Sequence, residues 1–508
     1  MYLERSNPLL TSLALLVRWG VSLWPHSGQG KPPLYGDYEA QRHWQEVTVN
    51  LEVEDWYRNT TDNDLQYWGL DYPPLTAYHS YITGRLAANI NASFVSLHTS
   101  RGEESPPHKL FMRLSVLAAD LLLLFPAIFM LSPGRLSTTV TLLAYPGLIL
   151  IDHGHFQYNN ISLGLFLAAV GFIMKNRDNV GSVLFVAALS YKQMELYHAL
   201  PFFSFLLGKC LHQKTVSQKL LKLIKISLSV ITAFVIIWSP FLYLGPTSVM
   251  EVVTRIFPFN RGLFEDKVAN FWCALDVVYK LRQEMAIPDL AKLCLATTFT
   301  LSLPANIHLL FHPTNRNFVL GLVNTSLTFF LFSFQVHEKS ILLAAVPVCL
   351  LTLVEGENVL VRQLVPWLLT ITTFSMLPLL AKDGLLLPGL ALSVLHLTVT
   401  DNLEALSSIG RERPRSVSGS APAPAPLPRV TLADSVLTVS ARASLLGCCV
   451  LVVVSEAVSP PAQYPFLWPL LVCVYSAGHF LLALGYFHYL QFSAAGEGGK
   501  KGAKKKTN

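Results

Sequence analysis

Residues 9 to 24 read LLTSLALLVRWGVSLW, and residues 35 to 44, shortly after this apolar run, read YGDYEAQRHW. A run of this length is close to what crosses a bilayer. The second stretch places two carboxylates, an arginine, a histidine and an indole behind it. Gly36 can adopt backbone angles closed to other residues, so a turn there could hold the Asp37 carboxylate at the edge of a span. Taken alone, the stretch is more simply explained as a solvated loop.

The apolar character of the first run extends along the chain. The 508 residues are 52% hydrophobic and 14% charged, and the mean hydropathy is +0.43. This composition predicts an all-α polytopic membrane protein instead of a soluble core. The net charge is +6, but the basic residues lie mainly in short loops and at the C-terminus, which indicates a topology signal and no nucleic-acid partner. Seven cysteines without a C-x-x-C pair predict neither disulfides nor a zinc site.

Fifteen apolar runs are long enough, or nearly so, to cross a membrane. They lie at about 8–24, 73–92, 109–131, 136–152, 159–174, 179–193, 195–211, 219–244, 288–311, 316–334, 340–354, 359–376, 384–400, 441–458 and 464–491. The run at 73–92 is the weakest, because two prolines open it and His79 and Arg85 interrupt it. We assign this run to a helix lying on the membrane, which leaves about fourteen spans.

Charge placement supports this topology, since short cytosolic loops collect lysine and arginine. With a cytosolic N-terminus, the basic loops near 133–135, 175–177, 212–225 and 315–317 all fall inside the cell. We predict a membrane region at 1–400, a cytosolic Pro/Ala/Ser-rich linker at 401–440, further spans at 441–491 and a basic cytosolic tail at 492–508.

The same topology puts six polar clusters on the non-cytosolic face. They occupy 37–44, 70–74, 152–159, 191–198, 261–272 and 335–339, within loops predicted at 25–108, near 152–159, near 191–198, at 245–287 and near 335–339. Ionisable groups at the ends of spans are costly unless they are paired or functional. Six clusters on one side therefore indicate one site.

Several clusters have simpler explanations when each is considered alone. His153 and His155 are spaced poorly for a metal pair, so no metal site is predicted. Lys192 and Glu195, three residues apart, are typical of a structural ion pair on a helix. The aromatic residues between 56 and 72 indicate an interfacial belt, although aromatic faces also stack on sugar rings.

Two clusters are harder to explain without a ligand. His337-Glu338-Lys339 lies between two apolar runs, where the cations could neutralise a phosphate next to the bilayer. Arg261 offers a planar fork for a phosphate or for sugar hydroxyls. A carboxylate base, a cationic clamp and a hydrophobic slot suit transfer from a lipid phosphate. The sequence has no Gly-rich phosphate loop or nucleotide motif, so a soluble nucleotide-activated donor is not expected.

Four motifs resemble those of a known family. They are GDYEAQRHW (36–44), WGLDYPPL (68–75), GHFQYN (154–159) and VHEK (336–339). They are similar to the multispanning, dolichyl-phosphate-sugar-dependent glycosyltransferases of the endoplasmic reticulum, the GT-C class, and among these to the dolichyl-phosphate-glucose-dependent glucosyltransferases. The resemblance runs from about Lys31 to about Lys382, and beyond Asp401 it is poor.

The resemblance implies a GT-C-type helix bundle with a lumenal active site. It also implies transfer of the first glucose from dolichyl phosphate glucose to the dolichyl-diphosphate-linked oligosaccharide Man9GlcNAc2, in alpha-1,3 linkage and with inversion, at the endoplasmic reticulum membrane and its lipids. Asp37 corresponds to the family's general base, and no cofactor is implied. The implied substrate-binding residues are Glu39, Arg42, His43, Trp44, Asp71, Tyr72, His155, Gln157, Tyr158, Arg261, His337 and Lys339.

Two alternatives remain open at this point. The second glucosyltransferase of the same pathway, acting on the monoglucosylated oligosaccharide, shares three of the motifs but differs around Ala40-Gln41-Arg42-His43-Trp44. A sugar-lipid transporter would also have many spans, although it should show repeated, Gly/Pro-broken helices in matching halves. We find no such pairing in the sequence.

We predict that Asn59, in the sequon Asn59-Thr60-Thr61, carries a glycan and that the C-terminus is cytosolic. In sealed microsomes, glycosidase should shift the mobility of the wild-type protein by more than that of Asn59→Gln, because a second sequon, Asn91-Ala92-Ser93, lies on the same predicted face. Protease added from outside should remove a C-terminal tag. A protected tag would mean an odd number of crossings and would contradict the topology.

Overall fold

The computed structural model describes residues 2–257, 267–356, 358–403 and 432–493. All regular secondary structure in these ranges is helical. The described chain is therefore an all-helical protein, as its composition predicts.

The helices are named here in chain order. They are α1 (Tyr2–Ser22), α2 (Gly36–Asn50), α3 (Pro74–Ile90), α4 (Pro106–Leu131), α5 (Leu136–Leu143), α6 (Pro146–Ile149), α7 (Asn159–Met174), α8 (Asp178–Tyr191), α9 (Leu196–Leu211), α10 (Val216–Leu244), α11 (Pro246–Ile256), α12 (Phe271–Val278), α13 (Leu281–Glu284), α14 (Ile287–Phe311), α15 (Asn315–Phe332), α16 (Leu342–Val354), α17 (Val359–Ser375), α18 (Leu377–Lys382), α19 (Leu386–Asp401), α20 (Leu432–Ala457) and α21 (Leu467–Ser493).

Five helical segments of the described chain are long and apolar enough to cross a membrane. They are Pro106–Leu131, Val216–Leu244, Ile287–Phe311, Thr438–Ala457 and Leu467–Ser493. Shorter apolar helices span Pro8–Ser22, Asn159–Met174 and Leu386–Asp401. The protein is thus a multi-pass membrane protein, while the count of about fourteen spans stays a prediction.

Two predicted boundaries differ in the structure. The apolar run at 136–152 is not one helix, because α5 ends at Leu143 and Pro146 starts a new helix, where its missing N–H costs nothing. The helix expected from residue 441 begins at Leu432, inside the predicted linker. The composition around the linker does not predict this earlier start. Helix α20 packs on α17 and α21, and such tertiary packing stabilises a helix beyond its local propensity.

Some sequence predictions fall outside the described residues. Arg261 is among them, as are linker residues 404–431 and tail residues 494–508.

The segment between α1 and α4 folds into a helical layer with its own small core. Helices α2 and α3 pack on each other. Buried Trp44 and Tyr57 join an apolar cluster with Phe241 of α10 and Val252 of α11. Burying aromatic side chains of this size dominates the energetics of such small cores. The layer is thereby held against the membrane helices, and α2 carries the Asp37 stretch.

A buried polar network links α1, α4 and the segment after α6. Arg18 of α1 donates to the Asp120 carboxylate at 2.5 Å, and His153 Nε2 lies 2.9 Å from the same carboxylate. Asn160 donates to its second oxygen at 2.8 Å. All four side chains are buried. A buried carboxylate is tolerable only with such partners, so the network holds these elements in one arrangement.

Two members of this network, Asp120 and His153, lie in π-helical turns. Asp120 begins the turn Asp120–Leu124 within α4, and His153 lies in the turn Leu150–Phe156 that follows α6. π-turns are rare and are often found at functional sites. Arg113 of α4 adds hydrogen bonds to the carbonyls of His153 and Gly154. The backbone just before His155 is therefore held from two sides.

Candidate active site

The turn at Gly36 places Asp37 at the start of helix α2. Tyr35 and Gly36 both have left-handed backbone angles, with φ of 53° and 68°. A Cβ at Gly36 would lie 2.6 Å from the Ser27 carbonyl, so only glycine fits. The Asp37 N–H donates to the Ser27 hydroxyl at 3.3 Å. The turn predicted at Gly36 is confirmed. It fixes the direction in which the short Asp37 side chain leaves the first turn of α2.

One oxygen of Asp37 carries all of the described side-chain contacts of this carboxylate. Its Oδ2 atom accepts from Gln157 at 2.5 Å, lies 2.9 Å from His155 Nε2 and contacts the Lys339 ammonium. Within the described chain, Oδ1 accepts no hydrogen bond. The side chain is 21% exposed and lines a cavity. The protein thus holds one oxygen and leaves the other available to a ligand.

These contacts set the charge of the cluster. Burial alone would raise the pKa of Asp37, but the Lys339 ammonium and His155 outweigh burial and hold that pKa well below its usual value. Burial lowers the pKa of Lys339 and the Asp37 carboxylate raises it, with a net increase. At neutral pH the site therefore contains an ionised carboxylate beside a charged ammonium.

A strained turn presents the His155 and Gln157 side chains together. Phe156, between them, has a φ of 86°, which is unusual for a bulky residue. Its ring packs on Tyr38, with centroids 4.8 Å apart, and beneath the Arg113 guanidinium. Strain of this kind persists only where packing enforces it, and it clusters at active sites.

Asp37 lines a cavity of about 480 Å³. Five of the six predicted polar clusters contribute to its wall, and the sixth lies partly outside the described residues. The predicted site residues in the wall are Asp37, Trp44, Asp71, Tyr72, His155, Gln157, His337 and Lys339. Leu163, Leu342, Leu343 and Leu379 make part of the wall apolar. Five of the predicted clusters therefore lie around one cavity, while their role as a functional site stays a prediction.

Lys192 lies in the cavity wall and does not form the predicted pair with Glu195. Its ammonium contacts the Asn159 side-chain oxygen and lies 4.9 Å from the centre of the Tyr72 ring. Glu195 instead bonds His198 Nδ1 at 2.7 Å. The cavity thus contains a second lysine ammonium, which the sequence analysis had predicted to form a structural ion pair.

Four predicted substrate-binding residues lie outside the cavity wall. The Arg42 guanidinium donates to both oxygens of Glu39 and to Glu46, and His43 Nδ1 lies 3.1 Å from Glu46. These side chains are buried, and their charges compensate one another. Tyr158 is also buried, with its hydroxyl 2.7 Å from that of Ser115. The contacts among Glu39, Arg42, His43 and Glu46 are thus made within α2 itself, and Tyr158 bonds to α4.

Sequence reasoning missed several polar residues of the site. Gln41, Asn159 and Gln193 line the cavity within clusters already identified. Gln41 lies four residues after Asp37, so helical spacing could have indicated it, whereas this spacing does not indicate Asn159 or Gln193. Asp383 gave no signal, because a single aspartate before a glycine is typical of an ordinary helix end. Its side chain nevertheless bonds His155 Nδ1 at 2.5 Å.

The side chains of the described chain include no group of three His, Cys, Asp or Glu residues placed to hold a metal ion. His153 and His155 point to different carboxylates, Asp120 and Asp37. The ionisable side chains in the cavity wall are three carboxylates, two ammonium groups and two imidazoles: Asp37, Asp71, Glu338, Lys192, Lys339, His155 and His337.

Known proteins of similar sequence show the family of this chain. The model of the ALG6, ALG8 glycosyltransferase family matches residues 13–486, well beyond Lys382, where the motif resemblance was expected to end. Relatives named dolichyl pyrophosphate Man9GlcNAc2 alpha-1,3-glucosyltransferase include one from Gallus gallus, 48% identical over 94% of this chain and 95% of its own, and one from Mus musculus, 46% identical over 94% of each. A Drosophila melanogaster protein, named as a probable enzyme of this kind, is 45% identical over 95% of this chain and 97% of its own. The chain therefore belongs to the ALG6, ALG8 glycosyltransferase family.

Proposed function

We propose that this protein transfers the first glucose from dolichyl phosphate glucose to dolichyl-diphosphate-linked Man9GlcNAc2, in alpha-1,3 linkage and with inversion. The names of its relatives in chicken and mouse support the acceptor and the linkage. The glycosyltransferase family favours an enzyme over the sugar-lipid transporter. We place the reaction on the lumenal side of the endoplasmic reticulum membrane.

The observation that carries the proposal is the Asp37 carboxylate, ionised and with Oδ1 open, in a cavity with two lysines. In an inverting transfer, an acceptor hydroxyl attacks the anomeric carbon from the face opposite the phosphate. The new oxygen–carbon bond forms as the carbon–phosphate oxygen bond breaks, and the hydroxyl proton passes to Asp37. The base must lie within hydrogen-bond distance of that hydroxyl, which Oδ1 permits.

The leaving group supports a role for the cations. As the glucosyl bond breaks, negative charge develops on dolichyl phosphate, and preorganised donors stabilise such charge in a water-poor cavity. Lys339 and Lys192 provide ammonium groups in the cavity wall, and His337 lies beside them. The leucines of the wall suit the hydrocarbon next to the phosphate. The protein's contribution is positioning and charge stabilisation.

Purified protein tests the proposal directly. It should move labelled glucose from dolichyl phosphate glucose to lipid-linked Man9GlcNAc2, and alpha-glucosidase should release the label. Preference for monoglucosylated Man9GlcNAc2 would mean that this protein is the second glucosyltransferase. Transfer to neither acceptor, by protein that is folded and monodisperse, would overturn the proposal.

Asp37→Asn should lower kcat by about 10² or more, because the amide keeps the size of the side chain but cannot accept the proton. Rates are measured with dolichyl phosphate glucose and the nine-mannose acceptor, per amount of folded protein.

Glu39→Gln is the matched control for this substitution. Glu39 is buried against Arg42, so the variant should lower the yield of folded protein and keep turnover within about tenfold of wild type. If Asp37→Asn kept more than about a tenth of the wild-type rate while Glu39→Gln abolished it, Glu39 would be the base.

Lys339→Ala should raise the KM for the donor and shift the acid limb of the pH–rate profile upward. The Lys339 ammonium holds the pKa of Asp37 low, so without it the carboxylate becomes protonated at a higher pH. The shift should be about one pH unit or more. It is read from kcat/KM between the lowest pH at which the protein stays folded and pH 8, because the wild-type acid limb lies below pH 3.8.

Lys339→Arg keeps the charge and should leave the acid limb near its wild-type position, even if the rate falls. An unchanged donor KM together with an unchanged acid limb in Lys339→Ala would show that Lys339 neither binds the phosphate nor controls Asp37.

A further inference from the structure

His155 lies between two carboxylates. Its Nε2 is 2.9 Å from Asp37 Oδ2, and its Nδ1 is 2.5 Å from Asp383 Oδ2. The imidazole is 2% exposed and the Asp383 side chain 6% exposed. No part of the proposed chemistry described so far uses Asp383.

The two carboxylates favour one protonation state of the ring. A neutral imidazole has one N–H and one lone pair, so it can donate to only one of the two carboxylates. The other carboxylate would then face a lone pair at hydrogen-bond distance. A doubly protonated imidazolium donates to both, and each such charge-assisted bond is stronger than a neutral one.

We propose that Asp383 is a positioning residue for the glucosyl transfer: it keeps His155 doubly protonated and aimed at Asp37, so that the Asp37 carboxylate is held with Oδ1 open to the acceptor hydroxyl. This inference rests on the proposed function. Asp383 acts through His155 and does not touch the reacting atoms. The active form of the site then contains Asp37 ionised, His155 charged and Lys339 charged.

The surrounding charges are consistent with this state. Burial and the Lys339 ammonium, 3.2 Å from His155 Nε2, lower the pKa of His155, and the two carboxylates raise it, with a net increase. Arg113 lies behind the ring, on the carbonyls of His153 and Gly154. Lys192 lies across the cavity. Without Asp383, cations would dominate the neighbourhood and would favour loss of the His155 proton.

The fold holds Asp383 at this place. It follows helix α18 directly, and Gly384 after it has a φ of 73°, which ends the helix in a tight turn. The Lys31 ammonium donates to the Lys382 carbonyl at 3.2 Å and ties this turn to the segment before α2. On the other side, the Ser27 N–H donates to the His155 carbonyl at 3.0 Å. The turn that carries Asp383 and the backbone of His155 are thus both tied to the segment before α2.

The test is the pH dependence of kcat in Asp383→Asn. The amide keeps a hydrogen bond to the ring but lacks the negative charge, so His155 should lose its proton at a lower pH. Because a raised pKa means that the charge is present below it and lost above it, the alkaline limb of kcat should move down by about one pH unit or more. On that limb, a shift of one unit is a tenfold loss relative to wild type.

Three further variants separate this effect from a loosened turn. Asp383→Glu restores the charge and should return the limb toward its wild-type position. Lys31→Met removes the bond to the Lys382 carbonyl without changing Asp383, and its limb should not move. If Asp383→Asn gives too little folded protein, Asp383→Ser, which also removes the charge, has the same expected result.

The outcomes distinguish the two proposals. Wild-type protein that transfers no glucose contradicts the proposed function. Active wild-type protein, with a rate in Asp383→Asn lowered by one constant factor from pH 6 to pH 8.5, contradicts the role of Asp383 alone, because a structural defect lowers kcat without shifting the limb.

Discussion

The Oδ2 atom of Asp37 meets Lys339, His155 and Gln157, which come from parts of the chain far apart in sequence. Each partner imposes a condition on the fold. Helix α2 must start at the Gly36 turn, the strained backbone at Phe156 must present two side chains to one side, and the loop before α16 must bring its lysine to the same point. An ionised carboxylate can stay in such a cavity because cations compensate its charge.

Polar contacts inside a mostly apolar protein hold the partners of Asp37 in these positions. Arg18, Asp120 and His153 join three elements without contact to solvent, and Arg113 holds the backbone just before His155. Buried charges of this kind add little net stability compared with well-packed apolar residues, but breaking one is costly. Their use here is to specify one arrangement of helices that could otherwise slide along apolar faces. The turn that carries His155 and Gln157 is therefore held in one position as well.

Much of the site was predictable because its signals are local. Gly36 before Asp37 indicates a turn from the local sequence alone. Ionisable residues at the ends of several apolar runs indicate that these ends form one site. Pairings across the fold were not predictable. Glu39, Arg42 and His43 resemble ligand-binding groups in sequence, yet Arg42 pairs with Glu39 and His43 bonds Glu46 within α2 itself. The spacing of Lys192 and Glu195 is typical of an ion pair on a helix surface, yet Lys192 contacts Asn159 in the cavity. The role proposed for Asp383 depends on its contact with the His155 ring, which the sequence does not indicate.

The central claim is that Asp37 Oδ1 accepts the proton of the acceptor hydroxyl. An experimental structure with an unreactive donor analogue and a nine-mannose acceptor measures this directly, through the distance from Oδ1 to the attacking oxygen. The account predicts a distance of about 2.6–3.2 Å, with Oδ2 still held by His155. An attacking hydroxyl bonded to another carboxylate of the cavity, such as Asp71, with Asp37 beyond hydrogen-bond reach, would contradict it.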